Sequence, residues 1–589
     1  MVCREASARQ PTNEIWVERT PDPAGNGYSG ADVPIAVGAN ARFPLVVGTR
    51  DTGIVPVGQT QSLSQFSFVK YWPGAVSQGQ SQLTSQQYQW PTNLTKGGHK
   101  EVVAATFVQS VDGIGRVQGV RCYATGTYVS SSGLKRIVTI GVETDDNPLV
   151  YGDPSPINQV FGASESADGC IGDEVPVAIA ADGDYVAVVG TSQASGSTWD
   201  LVVYVYNVGD ATRVLPPIRW SSAGSYDDIP LGIAMTTSHW GSPAVAVAAT
   251  VPDPSNPSLT SIVLLGWHLR NNILFDPSTF YPGMPLLPAY VHKNLTNSTT
   301  ETDSDVGKGM ASGSGLLGFA VLGTRYFINN SDPPPPAWHT DLVTELLRTS
   351  SFFIQGDPLP VGGYAGSFVE EWTRTWDRHD DDDPNHNPPI YVEDDEAASA
   401  ICIRNVDTGG GLEKINITVT GTTKRPGIDP YPHIMFADYC ADDGTEQFWG
   451  VWDPDPSFNE PEGEYGPMTV VGGQLFTGNQ TTPGYYGVAV AGFAPLSAQN
   501  PTNHEYAAVA WSIPPWDHVV QHQLPNDIWA YRYPIPLVAG FNGQDSATAA
   551  FLGPVAVPPN YDSPACLFFT GISDSQYVST DWITMRVQP

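Results

Sequence analysis

The chain has 589 residues, of which 41% are hydrophobic and 11% aromatic. A disordered chain would contain far fewer aromatic residues, so this chain can bury a sizeable core. The 61 acidic residues outnumber the 27 basic ones and leave a net charge of −34 at pH 7. A surface of this sign repels nucleic acid and anionic membranes, so we expect neither as a partner. Membrane insertion is also not expected, because no run approaches the ~18 apolar residues of a membrane span.

Residues 1–32 precede the first clear hairpin, and we interpret them as an N-terminal extension or arm. If the protein assembles with itself, exchange of this arm between subunits is a plausible mechanism. The opening sequence MVCREASARQPTNEIW has no apolar segment of the signal-peptide kind, so no signal peptide is expected in this sequence. We nevertheless expect an extracellular, surface or virion-associated protein, because little Lys and much Trp, Tyr, Asp and Asn favour an exported chain.

From residue 33 onwards one unit recurs: a short apolar strand that ends in Gly or Thr, a polar loop, and a second strand of alternating character. The copy at residues 185–208 reads YVAVVGTSQASGSTWDLVVYVYNV, and another copy occupies residues 566–587. Strict alternation over residues 201–206 places neighbouring side chains on opposite faces of one sheet. Two such strands joined by a loop of Gly, Ser or Asp predict a β-hairpin.

This repetition predicts an all-β fold, a β-propeller over residues 33–589. The spacings between Gly48, Gly126 and Gly190 are 78 and 64 residues, whereas an ordinary blade has about 40–50 residues. We therefore predict about seven blades with long loop insertions. The alternative is two or three β-sandwich domains, which would explain the irregular spacing better.

Two stretches rich in Pro and Asn, near residues 327–396 and 453–466, are predicted to be loop insertions, because such segments do not support regular strand pairing. Within the first, residues 341–353 (DLVTELLRTSSFF) predict an amphipathic helix. Trp372 and Trp376 lie in the same insertion, and we expect both to be exposed. The other Trp residues are expected to pack between blades.

The turn at residues 192–199 reads SQASGSTW. It is similar to the Asp-box turn of sialidase-type propellers, Ser-x-Asp-x-Gly-x-Thr-Trp, with Ala194 in place of the Asp. The hairpins also resemble bacterial β-propeller repeats in which a strand, a Thr-Gly pair, a polar loop, an Asp and a second strand follow one another. Both resemblances imply propeller topology, and neither implies an activity or a functional residue for this chain.

An acidic run flanked by two histidines is the densest candidate metal site of the sequence. Carboxylate oxygens suit calcium, which is the ion we expect there, and imidazole suits zinc or copper. The alternative is a solvated loop without a metal, because runs of like charge usually remain solvated. No other cofactor is expected. The candidate ligands are His379, Asp380, Asp381, Asp382, Asp383 and His386.

Six cysteines in a chain of this length permit up to three disulfides, and the bridge that we expect joins Cys402 to Cys440. Six Asn-x-Ser/Thr sequons are compatible with a glycoprotein. The sequons begin at Asn93, Asn294, Asn297, Asn329, Asn416 and Asn479.

No catalytic motif is recognisable in the sequence. It therefore favours a non-enzymatic structural or surface-displayed binding protein, in one version a self-assembling subunit of an extracellular or virion structure. Rigid β scaffolds commonly carry recognition on their loops. The second hypothesis is a calcium-dependent lectin or adhesin that binds carbohydrate. The third is a secreted carbohydrate-active enzyme, which needs two or three carboxylates that converge on the channel.

Overall fold

The structure is a computed structural model of the chain. It describes 33 β-strands and a set of adjoining residues, and no helix occurs among them. The adjoining residues are 63, 130, 132–134, 171–173, 184, 198, 208–214, 217, 221–222, 227–228, 259 and 441–445.

The strands form eight antiparallel sheets, which we call blades. The first strand, β1 (Asn13–Thr20), belongs to blade 8. Blade 1 comprises β2 (Val33–Ala39), β3 (Pro44–Asp51), β4 (Ser64–Pro73) and β5 (Leu83–Gln89); blade 2 β6 (Lys100–Val111), β7 (Val117–Val129), β8 (Lys135–Asp145) and β9 (Gln159–Ala163); blade 3 β10 (Glu174–Asp182), β11 (Tyr185–Gln193), β12 (Trp199–Asn207) and β13 (Ile218–Trp220); blade 4 β14 (Ile229–Thr237), β15 (Pro243–Pro252), β16 (Thr260–Arg270), β17 (Ile273–Leu274) and β18 (Tyr290–His292).

The second half of the chain repeats this arrangement. Blade 5 comprises β19 (Ser304–Ala311), β20 (Gly318–Ile328), β21 (Trp338–Thr349) and β22 (Phe368–Trp376); blade 6 β23 (Asp395–Asp407), β24 (Glu413–Lys424), β25 (His433–Cys440) and β26 (Glu446–Trp452); blade 7 β27 (Thr469–Leu475), β28 (Tyr486–Ser497), β29 (Asn500–Ile513) and β30 (Asp527–Tyr533); blade 8 β31 (Asp545–Gly553), β32 (Cys566–Asp574), β33 (Thr580–Gln588) and, at its outer edge, β1.

The blades form a closed ring. The first strand of each blade contacts the first strand of the next, and β31 contacts both β27 and β2. These first strands lie nearest the ring axis, and we call them the inner strands. The fold is therefore a β-propeller. Over the described residues it has eight blades, one more than the seven expected from the sequence, and it is not a row of β-sandwiches.

Over the described side chains, blades 2–5 are apolar on both faces, because each of them lies between two others. In β12, Leu201, Val203 and Val205 pack towards blade 4, whereas Tyr204 and Tyr206 pack towards blade 2. Each of the hydrophobic clusters among the described residues joins two consecutive blades in this way. Alternation along one strand therefore sorts side chains between two interfaces, and not between a core and solvent.

A β-bulge occurs at the same place in every inner strand. The residue before the bulge pairs with a glycine of the second strand in seven blades and with Ala249 in blade 4. The glycines leave room for backbone: a Cβ on Gly190 would lie 2.4 Å from the carbonyl oxygen of Val175. The extra residues are Ile35, Val103, Val177, Leu231, Lys308, Ser399, Val471 and Thr548.

The residue before the bulge is also linked to the preceding blade. The backbone N–H of Val102 donates to the Thr49 hydroxyl at 2.8 Å, and that of Ala398 donates to the Thr324 hydroxyl at 3.0 Å. Both threonines directly follow the glycine of their own blade. Three other blades have proline at this position, which carries no N–H to satisfy. These prolines are Pro34, Pro176 and Pro230.

The N-terminal segment closes the ring. β1 pairs antiparallel with β33, so that Val17 lies opposite Met585 and Thr20 opposite Trp582. The boundary expected at residue 32 therefore does not separate an arm from the ring, because residues 13–20 complete blade 8.

The helix expected at residues 341–353 is wrong. The described part of this stretch belongs to β21, which pairs with β20 on one side and β22 on the other. The exposure expected for Trp372 and Trp376 is wrong as well: both are buried on β22 against blade 6, where the Trp372 indole donates to the Ala441 carbonyl at 3.0 Å. Two-sided pairing overrides helix propensity here. The stretch at residues 453–466 lies outside the described residues.

We predict that Gly190→Ala lowers the melting temperature of the protein. The added methyl group would meet the backbone of Val175, and overpacking of this kind costs about 1–3 kcal/mol. The matched control is Ala249→Gly at the equivalent position of blade 4, for which only the smaller cost of a glycine within a strand is expected. Thermal denaturation followed by circular dichroism measures both, and a Gly190→Ala protein as stable as the wild type would contradict the prediction.

Candidate functional site at the start of the inner strands

Acidic pairs stand at the start of three inner strands. They are Asp173–Glu174 in blade 3, Asp227–Asp228 in blade 4 and Asp395–Glu396 in blade 6. In each pair the second acid lies two positions before the residue that precedes the β-bulge. The side chain of this second acid is fully buried. By residue type, Asp305 and Asp545 occupy the same register position in blades 5 and 8.

The first acid of the pair links its blade to the preceding one. Asp173 accepts a hydrogen bond from the backbone N–H of Lys135 at 2.9 Å, and Asp227 accepts one from that of Trp199, also at 2.9 Å. Both donors are the first residues of third strands, β8 and β12. The same link is therefore made twice, between blades 2 and 3 and between blades 3 and 4.

Glu174 is held by side chains from all the other strands of its blade. It forms an ion pair with Arg219 at 2.7 Å, and it accepts hydrogen bonds from Tyr204 at 2.8 Å and Ser192 at 3.2 Å. Arg219 also donates to the Ser192 hydroxyl. Burial, together with the neighbouring Glu174 carboxylate, raises the pKa of Tyr204 far above its ordinary value, so the phenol keeps the proton that it donates. This carboxylate is enclosed in the sheet and does not reach a ligand.

Asp228 is buried with fewer partners. One carboxylate oxygen accepts from the backbone N–H of Ser222 at 2.9 Å, while the other has no hydrogen-bond partner. Burial raises the pKa of the Asp228 carboxyl, and the negative charges of Asp200 and Asp227 raise it further. A raised pKa is typical of a general acid, but a side chain that is fully buried cannot protonate a substrate in the channel.

Blade 6 encloses two more carboxylates. Glu396 accepts from the Thr423 hydroxyl at 2.9 Å, and Asp438 accepts from Asn416 at 2.6 Å and from Thr418 at 2.5 Å. Asn416 begins a sequon, yet its side-chain amide is buried within β24 and donates to Asp438. Glycosylation of Asn416 is therefore incompatible with the folded blade. The other five sequons lie outside the described residues.

Apolar side chains are exposed or half-buried close to the buried carboxylates. On the inner strands of blades 2–4, the extra residue of the bulge and the residue two positions before it are exposed or half-buried. The residue between these two is buried. Val103 is 37% exposed and Ile229 is 55% exposed. We call the following six residues the apolar wall: Ile35, Val103, Val175, Val177, Ile229 and Leu231.

The metal site proposed from the sequence lies outside the described residues. Residues 377–394, which contain His379, Asp380, Asp381, Asp382, Asp383 and His386, are not among them. Within the described part of the chain, no group of three or more His, Cys, Asp or Glu side chains is arranged to hold a metal ion.

The expected bridge between Cys402 and Cys440 is wrong. Cys440 is a buried free thiol, and so is Cys122. Cys402 lies on β23 and Cys440 on β25, with β24 between them. Two strand spacings amount to about 9–10 Å, which exceeds the reach of a disulfide.

Sequence reasoning missed the acidic pairs, although a signal for them exists. Residues 173–176 read DEVP, residues 227–230 read DDIP, and residues 32–34 read DVP. An acid followed two positions later by proline marks the start of an inner strand in these three blades. An alignment of the hairpins on the glycine of the second strand does not bring these acids into register, because the inner strand precedes that glycine by a variable number of residues.

No family model matches the chain, and a search of curated proteins finds no match. Drosophila Semaphorin 2a shares 9% identity over 83% of this chain and 74% of its own, with a TM-score of 0.34. The polysaccharide lyase Uly1 shares 9% over 82% and 88%, with a TM-score of 0.30. A thermostable family-43 glycoside hydrolase shares 12% over 58% and 98%, with a TM-score of 0.25. Scores of this size carry no argument about function, and the propeller fold rests on the blade topology.

None of the described residues belongs to a helix that is long and apolar enough to span a bilayer.

We predict that Glu174→Gln destabilises the protein. The change keeps an acceptor for Tyr204 but removes the charge that faces Arg219, and a hydrogen bond to a charged group contributes about 1.5–3 kcal/mol. The matched control is Glu101→Gln, which changes an exposed glutamate of the neighbouring inner strand and is expected to have little effect. Urea denaturation measures both midpoints, and equal midpoints for the two variants would refute a structural role for Glu174.

We predict that Asp228→Asn is at least as stable as the wild type at pH 7. Folding raises the pKa of Asp228, so its contribution to stability is fully present below the unfolded-state pKa of about 3.9 and is lost as the pH rises through the folded-state pKa. Asparagine is neutral throughout this range. The advantage of the variant should therefore shrink as the pH falls towards 4.

Melting temperatures at several pH values between 4 and 8 measure this difference. Asp442→Asn, at an exposed turn of blade 6, is the control for loss of one negative charge. An advantage of Asp228→Asn that is constant across the pH range would contradict the assignment.

Proposed function

We propose that the protein is a non-enzymatic binding or structural protein, a rigid eight-bladed ring that is displayed outside a cell or on a virion. The observation that carries the proposal is the burial of three carboxylates at the start of the inner strands. Glu174, Asp228 and Glu396 are fully buried, and each accepts a hydrogen bond from within the ring. They hold the ring together, and the partly exposed or exposed positions that follow them on the inner strands of blades 3 and 4 are apolar.

Hydrolysis of a glycoside needs two carboxylates that face the substrate, one as acid and the other as base or nucleophile. Of the acids at the start of the inner strands whose exposure is described, Glu101 and Asp227 are exposed, and Asp227 already accepts the backbone N–H of Trp199. This link leaves Glu101 as the carboxylate available to a substrate, and one carboxylate does not supply the pair. This arrangement favours recognition over bond cleavage, with loops on a rigid scaffold as the natural place for specificity.

The purified protein is expected to release no reducing ends and no unsaturated uronate from a panel of plant, algal and bacterial polysaccharides. Enzyme activity that co-purifies with the wild type and disappears in Glu101→Gln would overturn the proposal. Binding of the same glycans on an array, without turnover, would keep it and identify a lectin.

Light scattering and negative-stain microscopy, with and without EDTA, separate the remaining versions of the proposal. Regular oligomers or filaments would make the protein an assembly subunit, and deletion of residues 1–20 tests whether β1 is exchanged between the subunits. A fall in melting temperature with EDTA would favour the calcium-dependent lectin, since a bound ion stabilises the state that binds it.

A further inference from the structure

The apolar wall extends over four neighbouring inner strands. Its six residues lie on β2, β6, β10 and β14, and each of these inner strands contacts the next. The residues that alternate with them on the strands are buried between blades, namely Pro34, Val102, Pro176 and Pro230. The wall therefore consists of side chains that the blade interfaces leave at least partly exposed.

The most exposed apolar side chains among the described residues lie on the apolar wall or close to it in the chain. Among the described residues, the exposed large hydrophobic side chains are Val103, Ile171 and Ile229. Val103 and Ile229 belong to the wall, and Ile171, which is 71% exposed, stands three residues before β10. Apolar side chains that cluster in this way on a soluble surface mark sites of interaction.

An acidic residue lies two positions along the chain from each of the three exposed apolar residues. Glu101 precedes Val103, Asp227 precedes Ile229, and Asp173 follows Ile171. Glu101 and Asp227 are themselves exposed. Lys135 and Lys100 lie at the same end of blade 2, so the local charge is mixed, but the chain as a whole carries −34.

We infer that the apolar wall binds an extended segment of a partner protein in which apolar and basic residues stand two positions apart and therefore face the same side. The acid-to-apolar spacing of two residues corresponds to about 7 Å along a strand, which is also the repeat of alternate side chains in an extended peptide. The apolar side chains would lie on the wall, and the basic ones would face Glu101 and Asp227. The inference deepens the proposed binding function and rests on it.

The direct test is fluorescence anisotropy with labelled twelve-residue peptides on the full-length protein. The Leu–Lys probe repeats Leu-Ser-Lys-Ser, which places Leu and Lys on one face of the extended peptide. The Ser–Lys control repeats Ser-Ser-Lys-Ser, which keeps the charge without the apolar side chains, and the Leu–Glu control repeats Leu-Ser-Glu-Ser. The Leu–Lys peptide should bind at least about tenfold more tightly than either control, since loss of apolar burial or of charge attraction each weakens the complex.

Two double variants locate the binding. Val103→Thr with Ile229→Thr removes apolar surface while it keeps β-branched residues and charge, and it should weaken Leu–Lys binding about tenfold with no effect on the Ser–Lys peptide. Glu101→Gln with Asp227→Asn should weaken it most at low salt. The matched control, Asp442→Asn with Glu446→Gln, removes two exposed charges from blade 6 and should leave the affinity unchanged.

Three results would overturn the inference. Equal affinity for the Leu–Lys and Ser–Lys peptides would show attraction by net charge alone. Unchanged binding by the Val103→Thr, Ile229→Thr variant would place the site elsewhere. Self-association that this variant abolishes, with no peptide binding by the wild type, would make a second copy of the chain the occupant.

The two proposals fail separately. Polysaccharide turnover together with wall-dependent peptide binding would remove the proposed function and leave the wall a binding surface. No turnover and no peptide binding would refute the inference alone. Melting temperatures of both double variants verify that each one folds.

Discussion

The close approach of two backbones beside each β-bulge is the constraint on which the ring depends. At Gly48, Gly126 and Gly190 the neighbouring inner strand occupies the place where a side chain would begin. The bulge bends the inner strand and sharpens its twist. Because the same register recurs in all eight blades, the inner strands meet their neighbours at the same level around the axis.

Packing on both faces then decides where polar groups lie. A blade between two others has no solvent-facing side near the axis, so an acid at the start of an inner strand must find its partners within the protein. Glu174 finds them on three strands of its own blade, and Asp173 finds one on the blade before. Charged groups thus serve cohesion between and within blades, while apolar groups are left at the inner edge.

The sequence predicts the architecture well and its details less well. The glycine of the second strand is visible in the sequence because the close backbone disfavours a side chain there, with Ala249 of blade 4 as the exception, and it reveals the propeller. Burial of Trp372 is not visible, because it depends on blade 6, whose contacting residues come about 70 positions later. The free thiol of Cys440 likewise follows from strand order, since β24 separates it from Cys402. Features set by local backbone geometry can be predicted, whereas those set by the neighbouring blade cannot.

Closure by β1 gives the ring an order of assembly. Blades 1–7 are each built from consecutive strands and can fold in sequence as the ribosome makes them, but β1 has to wait for β33. At about 5–20 residues per second, the wait is on the order of half a minute to two minutes. During that time β1 is a solitary strand that other chains could recruit. Its charged residues Glu14, Glu18 and Arg19 discourage such mispairing, as charges on edge strands generally do.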